Sequence, residues 1–270
     1  ILSKNKDILD YFNTAISNKD NNLELETIFG SNPNGNDNPI NKIIFLRLLN
    51  KLKSNSDPIS VSINLDIRTK QERGVSNIRC SITDIDSIKK YCISNSLEDI
   101  PLTSIKIIQK ENYTDETIKN SRIINQEYNY RINLKSENDL DYDESQIKRY
   151  NNEINTKLKH YRYKKRYSFI TNDKLFRIDL SAIKSTKYIK DKGYKYSKTF
   201  KEANILNNPE EYELEIEYIG STETKENGVY LINDYYNKIL SDVDEPFSLS
   251  GSTYDPLSVG FVSSEPAVDT

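Results

Sequence analysis

The sequence predicts an α+β fold in which eight mainly antiparallel strands are interrupted by helices. Eight stretches alternate polar and apolar residues with a period of two, which is typical of strands with one buried face. Apolar stripes at helical spacing lie before and between these stretches. The 270 residues are enough for one large domain or two small ones. Because helices break up the order of the strands, the pattern favours an α+β architecture.

The eight predicted strands end with a row of glutamates. The strands cover residues 23–29, 61–68, 78–83, 103–110, 128–136, 161–169, 174–184 and 211–219. The last stretch reads EYELEIEYI and places Glu213, Glu215 and Glu217 on one face, about 7 Å apart along the strand. Neighbouring carboxylates at that distance repel each other by roughly 2 kcal/mol at an effective dielectric near 20. The row therefore requires a compensating charge nearby.

Helices are predicted from apolar stripes and from residues that cap helix N-termini. The stripes cover residues 8–16, 38–54, 84–92, 141–158 and 197–206. Asn38, Asp84 and Ser197 are the predicted N-caps, and Pro39 stands in the first turn of its helix. The stripe in 141–158 consists of Ile147, Tyr150, Ile154 and Leu158. We expect these helices to cover the apolar face of the strands.

Composition limits the classes of function. The net charge is −3, so the whole molecule does not have the charge of a general nucleic-acid binder. Cys80, Cys92 and His160 are the only cysteines and histidine, too few for a zinc site or a disulfide framework. No apolar run of about 18 residues is present, so no membrane-spanning helix and no membrane partner are expected. We therefore expect a cytoplasmic protein.

The predicted folded part and the rest of the chain differ in composition. Residues 1–220 contain the strands, whereas 221–270 are richer in Ser, Pro, Asp and Gly towards their end and are predicted to be a linker or tail. The chain starts at Ile1 and contains no methionine. We expect it to be a fragment or a processed chain with a further region after Thr270.

Alternate residues of a strand lie on opposite faces, and sorting the predicted strands in this way separates an apolar face from a charged face. Glutamates dominate the charged face of the first and last strands, with Glu24 and Glu26 in the first. Bases dominate the strands between them, namely Arg79, Lys106, Arg131, Lys135, Arg162, Lys164, Arg166 and Arg177. Solvated faces usually mix charges of both signs. The segregation therefore suggests a function for the charged face.

Two architectures fit this segregation. An open antiparallel sheet would have one face on helices and the other in water. A closed barrel would turn the charged face into a lumen and bring Glu24 and Glu26 towards the row at 213–217. Carboxylates confined in this way must be protonated in part or must surround a hard divalent cation. The bases would favour an anion with several charges, such as a chain of phosphates.

The charged strands resemble those of the metal-dependent, tunnel-type triphosphatases. NLELETIFG and YELEIEYIG resemble the paired glutamate strands of that family. RYKKRYSF and FRIDLSAIKS resemble its basic and Arg-x-Asp strands, and IRCSIT resembles its single-arginine strand. The nearest resemblance is to the RNA triphosphatase domain of mRNA-capping enzymes, of the fungal and large-DNA-virus type. It covers about residues 20–220.

The resemblance implies a fold and an activity. The fold is a closed, eight-stranded antiparallel tunnel with a polar, charged lumen and outer helices. The activity is metal-dependent removal of the γ-phosphate from 5′-triphosphate RNA, the first step of cap formation, with hydrolysis of nucleoside triphosphates as a side activity. Implied partners are the RNA 5′ end, nucleotides, and linked guanylyltransferase and methyltransferase domains. The guanylyltransferase signature Lys-x-Asp-Gly is absent, since KDKG at 190–193 does not match it. A viral protein would act in the host cytoplasm, a viral factory or the virion.

The resemblance also implies roles for single residues. Glu24, Glu26 and Glu217 would bind one or two Mg²⁺ or Mn²⁺ ions. Glu213 and Glu215 would help to position a water molecule or would brace the bases. The γ-phosphate would be bound by catalytic bases, namely Arg79, Lys164, Arg166 and Arg177. Asp179 would orient a neighbouring arginine. Further substrate contacts would come from Lys106, Arg131, Lys135 and Arg162.

Two other functions fit the same residues. Other tunnel enzymes hydrolyse polyphosphate or thiamine triphosphate, or cyclise ATP. A catalytically inactive barrel would instead bind nucleic acid or serve as a scaffold in a capping complex. The presence of Glu24, Glu26 and Glu217 argues against an inactive barrel.

Overall fold

The computed structural model describes most of the predicted strand region. It describes residues 23–29, 40–55, 58–72, 74–112, 122–125, 130–189 and 192–220, without the side chains at 23, 55, 112, 122–125, 130–132 and 134. The helical stripe predicted at 8–16 and the linker predicted at 221–270 lie outside these residues. No helix in the described ranges is both long enough and apolar enough to span a membrane.

The described residues form eleven strands and four α-helices. The strands are β1 (Leu23–Phe29), β2 (Ser60–Thr69), β3 (Ile78–Ile82), β4 (Ile105–Asn112), β5 (Arg122–Asn125), β6 (Tyr130–Leu140), β7 (Lys159–Ile170), β8 (Phe176–Ser185), β9 (Tyr188–Ile189), β10 (Gly193–Tyr194) and β11 (Glu211–Tyr218). The helices are α1 (Lys42–Asn55), α2 (Ile85–Ser94), α3 (Glu144–Thr156) and α4 (Phe200–Ala203). Each of the eight predicted strands overlaps a long strand of this set.

Eight strands close into a barrel. Their order is β1, β11, β8, β7, β2, β3, β4 and β6, and every neighbouring pair is antiparallel. The last strand returns to the first, because β6 pairs with β1 from Leu23↔Ser136 to Phe29↔Tyr130. The closed eight-stranded antiparallel barrel is confirmed, and the open sheet is wrong. The short β5 is added to β6, and β9 and β10 form a separate two-stranded hairpin.

The outer surface of the barrel is apolar and is covered by helices. One core cluster lies under α1, where Phe45 packs against Tyr212 of β11 with ring centroids 4.8 Å apart. A second cluster lies under α2, α3 and α4 and includes the buried Tyr91, Ile154 and Tyr161. The helices therefore take up the apolar face of the strands, as the alternation predicts.

The charged face points into the barrel. Arg162 of β7 pairs with Glu213 of β11, although β8 lies between these strands. In the same way Lys110 of β4 pairs with Glu24 of β1 across β6. Side chains reach over an intervening strand in this manner when they project into a shared interior. The lumen is therefore a charged tunnel.

The helix caps agree with the sequence only in part. Asp84 caps α2 as predicted, because its side chain accepts hydrogen bonds from the backbone N–H groups of Asp86 and Ser87. The prediction for Ser197 is wrong, since Thr199 caps α4 in a capping box with Glu202. Asn38 and Pro39 lie outside the described residues. At the start of α1 the side chain of Asn41 accepts from the N–H of Ile44 at 3.0 Å.

Candidate active site

The glutamate row of β11 faces a row of arginines. One guanidinium nitrogen of Arg162 donates to both carboxylate oxygens of Glu213, at 3.0 and 2.9 Å. Arg166 donates to Glu215 at 2.8 Å. The third glutamate, Glu217, pairs with Arg177 of the neighbouring strand β8. These contacts provide the compensating charge that the spacing of the row requires.

The carboxylates of the first and last strands meet inside the tunnel. Glu26 lies directly opposite Glu217 in the pairing of β1 with β11, and Glu24 follows on the same face. Glu24 accepts a hydrogen bond from Lys110 at 3.3 Å. Glu26 accepts from Asn133 at 3.3 Å and pairs with Lys135. The three residues predicted to bind metal are therefore brought to one part of the lumen.

Two of these three carboxylates have pKa values that are raised. Burial raises the pKa of Glu24 to about 7, and nearby Glu137 and Glu217 add to the shift while Lys110 opposes it. Burial also raises the pKa of Glu217, together with Asp179 and Glu26 and against Arg177. Burial is the largest cause for both residues, and the neighbouring carboxylates add to it. A divalent cation at this place would favour the ionised form of both.

The donor atoms fit a hard cation, but the carboxylates are turned towards their bases. Within the described ranges, no three His, Cys, Asp or Glu side chains are grouped closely enough to hold a metal ion. Carboxylate oxygens are the ligands that Mg²⁺ and Mn²⁺ prefer. Binding would therefore require Glu24 and Glu26 to exchange Lys110 and Lys135 for the ion.

The wall formed by β8, β7 and β2 carries bases that are held by two buried aspartates. Asp179 accepts from Arg166 at 2.9 Å and from Nε of Arg177 at 3.2 Å. Asp66 accepts from Ser81 at 2.6 Å and lies 3.8 Å from Nζ of Lys164. Burial outweighs the attraction of Asp66 and lowers the pKa of Lys164 to about 8. These contacts fix a lysine and two arginines next to one another.

Several buried polar atoms of the tunnel have no hydrogen-bond partner among the described residues. They are Asn64 Oδ1, Asp66 Oδ2, Arg79 Nε, Arg166 Nε, Asp179 Oδ1 and Ser181 Oγ. Buried polar atoms are normally paired. The two guanidinium N–H groups are thus available donors for an anion that enters the lumen.

Bases and carboxylates are equal in number among the buried and half-buried side chains that line the described tunnel. The bases are Arg68, Arg79, Lys110, Lys135, Arg162, Lys164, Arg166 and Arg177. The carboxylates are Glu24, Glu26, Asp66, Glu137, Asp179, Glu213, Glu215 and Glu217. An anion with several charges would upset this balance. Its entry therefore favours a cation that enters with it.

Most residues that the sequence singled out line this lumen, but one of the described side chains does not. Lys106 is exposed near the start of β4. Arg131 lies in β6, where its side chain is outside the described part of the structure.

Four further charged residues that the sequence reasoning did not select line the described tunnel, namely Arg68, Lys110, Asp66 and Glu137. Glu137 pairs with Arg79 at 2.8 Å and also with Lys110, and Asp66 pairs with Lys164. Lys110 lies on the same face of its strand as Lys106. Because the apolar Ile108 stands between them on that face, the polar–apolar alternation is interrupted before Lys110. Glu137 lies one residue beyond the predicted end of its strand, which in the structure continues to Leu140. The alternation in residues 61–68 is also compatible with Asp66 on the charged face.

A solved structure shares this fold. The chain is similar to the Mimivirus capping enzyme triphosphatase, with a TM-score of 0.55 and 21% identity over 90% of this chain and 95% of that chain. It is also similar to the S. pombe Pct1 RNA triphosphatase, with a TM-score of 0.44 and 13% identity over 90% of this chain and 89% of that one. No protein-family model and no curated protein matches the chain. The predicted resemblance to the tunnel triphosphatases is confirmed at the level of the fold.

Proposed function

We propose that the tunnel hydrolyses the γ-phosphate of 5′-triphosphate RNA with one or two bound Mg²⁺ or Mn²⁺ ions. The observation that carries this proposal is the meeting of carboxylates from β1 and β11 with the bases of β7 and β8 in one closed lumen. A fold shared with a capping-enzyme triphosphatase supports the choice of substrate. An enclosed site of this kind excludes bulk water and strengthens electrostatic contacts with phosphate oxygens.

In this proposal the bases hold the phosphate chain. Arg79, Lys164, Arg166 and Arg177 donate to nonbridging oxygens and stabilise the charge that develops on them. Asp179 keeps the planes of Arg166 and Arg177 fixed, because it accepts a hydrogen bond from each. Lys135 and Arg162 add positive charge at the edge of the site.

The acidic row orients the attacking water. Burial alone would raise the pKa of Glu215, but Arg166, Lys164 and Arg162 outweigh it and lower the value to about 2. Glu215 is therefore ionised and is a weak base, so it accepts a hydrogen bond from water rather than removing its proton early, and Glu213 helps to orient the same water molecule. This suits phosphoryl transfer, whose loose transition state needs little help from a base. The water oxygen bonds to the γ-phosphorus, the β–γ bridging bond breaks, and the products are RNA 5′-diphosphate and inorganic phosphate.

The bound cation would be held by Glu24, Glu26 and Glu217. It would supply positive charge that polarises the γ-phosphate. Because the pKa of Glu24 is raised to about 7, protonation of this ligand as pH falls would weaken the binding of the ion.

The wider setting is also part of the proposal. Residues 1–220 form the triphosphatase domain, and 221–270 link it to guanylyltransferase and methyltransferase activities. Free nucleoside triphosphates are side substrates, and the enzyme works in the cytoplasm.

The proposal is tested by the release of phosphate from 5′-triphosphate RNA, ATP and tripolyphosphate, each with and without Mg²⁺ or Mn²⁺. We expect metal-dependent release from the RNA. Faster hydrolysis of tripolyphosphate would instead assign a polyphosphatase, and cyclic AMP from ATP would assign a cyclase. Binding of RNA without release under any condition would assign an inactive scaffold.

A further inference from the structure

The hairpin of β9 and β10 carries lysines and tyrosines in alternation. The segment 187–198 reads KYIKDKGYKYSK. Tyr188 is 62% exposed and Tyr194 is 38% exposed. Lys187, Lys192 and Lys195 are exposed beside them. Basic side chains interleaved with exposed aromatic rings are typical of surfaces that bind single-stranded nucleic acid.

The tyrosines form a packed array at one end of the tunnel. The rings of Tyr188 and Tyr194 meet edge to face with centroids 5.2 Å apart, and Tyr196 follows at 6.0 Å from Tyr194. Tyr194 packs on the buried His160 at 4.6 Å. His160 is the β7 partner of Arg68 in β2. The array is therefore anchored where β2 ends and β7 begins.

A basic cavity lies at the same end of the barrel. It has a volume of about 490 Å³ and is lined by Arg68, Val75, Ser76, Asn77, Lys110, Glu111 and Lys135. Lys110 and Lys135 also contact Glu24 and Glu26, so the cavity borders the proposed metal site.

The loop between β2 and β3 joins the cavity to the tyrosine array. The hydroxyl of Tyr196 donates to the carbonyl oxygen of Gly74 at 3.1 Å. The ammonium group of Lys70 lies 5.5 Å from the centroid of the Tyr196 ring. Val75, Ser76 and Asn77 follow in the same loop and line the cavity. The cavity and the hairpin thus form one continuous surface.

Arg68 carries positive charge in the cavity and forms no ion pair with any described residue. Burial together with Arg79 and Arg162 lowers its pKa, while the attraction of Asp66 and Glu137 opposes this shift. A phosphate group that enters the cavity would supply the missing partner.

We propose that this surface is a platform for the single-stranded RNA that follows the 5′ end. Backbone phosphates bind at Arg68 and at the exposed lysines of the hairpin, and bases stack on Tyr188 and Tyr194. This inference rests on the proposed function, since it gives the substrate's nucleotide chain a path from the tunnel. It also predicts that RNA is preferred over a free nucleotide.

The platform is tested by the binding of a fluorescent single-stranded RNA with a 5′-hydroxyl end, measured by anisotropy. Tyr188→Ala should weaken binding roughly fivefold or more, because one stacked base is lost, whereas Tyr188→Phe should keep the affinity. Ile93→Ala removes a side chain that is 86% exposed on α2 and serves as the surface control. Unchanged affinity in Tyr188→Ala would overturn the stacking role.

The lysines are tested by the salt dependence of the same binding. A variant in which Lys187, Lys192 and Lys195 are replaced with alanine should have a weaker salt dependence. The plot of the logarithm of the binding constant against the logarithm of the salt concentration should be less steep by about 2, because each phosphate contact contributes roughly 0.7 on a single strand. An unchanged slope would contradict the platform. Circular dichroism of each variant verifies that the fold is retained.

This assay separates the platform from the proposed reaction. The 5′-hydroxyl RNA has no triphosphate, so its binding does not depend on catalysis. One outcome is that the wild-type protein releases no phosphate while the Tyr188→Ala variant still binds RNA more weakly than the wild type does. In that case the proposed function fails and the platform stands. In an active enzyme, Tyr188→Ala should lower the ratio of kcat/KM for triphosphate RNA to that for ATP. An unchanged ratio would overturn the platform.

Discussion

Ionisable residues in the lumen differ in pKa because burial and neighbouring charges act in different proportions. Burial opposes the charged form in every case. At Glu215 four nearby bases outweigh burial, and its pKa is lowered to about 2. Glu24 has Lys110 but also two other carboxylates nearby, and its pKa is raised to about 7. Lys164 has Asp66, which is not sufficient, and its pKa is lowered to about 8. One tunnel can thus hold an ionised glutamate and a lysine that is close to losing its proton.

The lysine gives a prediction about the pH dependence of activity. Lys164 carries its proton below a pH of about 8 and loses it above. If the charged form binds phosphate, kcat/KM falls as pH rises through that value. Lys164→Arg should keep its charge and move this decline to higher pH. The measurement is a pH profile of phosphate release for both proteins, and a decline at the same pH in both would contradict the role of Lys164.

Single residues could be assigned to the lumen from parity alone, but their partners could not. Alternation predicted that Arg162 and Glu213 share the charged face, because each strand has a fixed period of two. Their contact depends on the closure of the barrel, which no local pattern determines. Glu137 was missed for a different reason. Its strand continues to Leu140, beyond the point where the alternation of polar and apolar residues becomes irregular.

At the scale of elements, each outer helix is held by a narrow apolar stripe. In α3 Ile147 and Ile154 are 5% and 1% exposed, whereas Leu158 lies beyond the helix and is 37% exposed. The sequence had assigned all three to one buried face. The helix ends at Thr156, so Leu158 no longer follows its periodicity.

This difference predicts unequal effects of two similar substitutions. Ile154→Ala should lower the free energy of unfolding by about 2–5 kcal/mol, because it leaves a cavity against the barrel. Leu158→Ala should lower it by less than about 1 kcal/mol, because much of its side chain is already in water. Urea unfolding of both variants measures the difference. Equal losses would mean that α3 continues its packing to Leu158.

The long elements were predictable, and the short ones were not. The eight barrel strands have enough residues to show a period of two. By contrast, β9 and β10 have two residues each, and β5 has four. Such lengths contain too few positions for a periodic signal. The choice of Thr199 over Ser197 as a cap likewise depends on the capping box with Glu202, which the stripe does not determine.

At the scale of the whole molecule, closure makes the charged face a site. The pairing of β6 with β1 removes the sheet edges and brings the first strand between β6 and the last strand. Carboxylates that are nearly 200 residues apart in the chain thereby face each other, as Glu26 and Glu217 do. In an open sheet the same charges would be solvated and screened.

The central claim is that Glu26 and Glu217 together bind the catalytic cation. The most direct test is metal-dependent phosphate release from 5′-triphosphate RNA by Glu26→Ala and Glu217→Ala, next to Glu153→Ala on the exposed face of α3 as a control. We predict that both tunnel variants remain folded and lose phosphate release, while the control keeps it. Full activity in either folded tunnel variant would contradict the account.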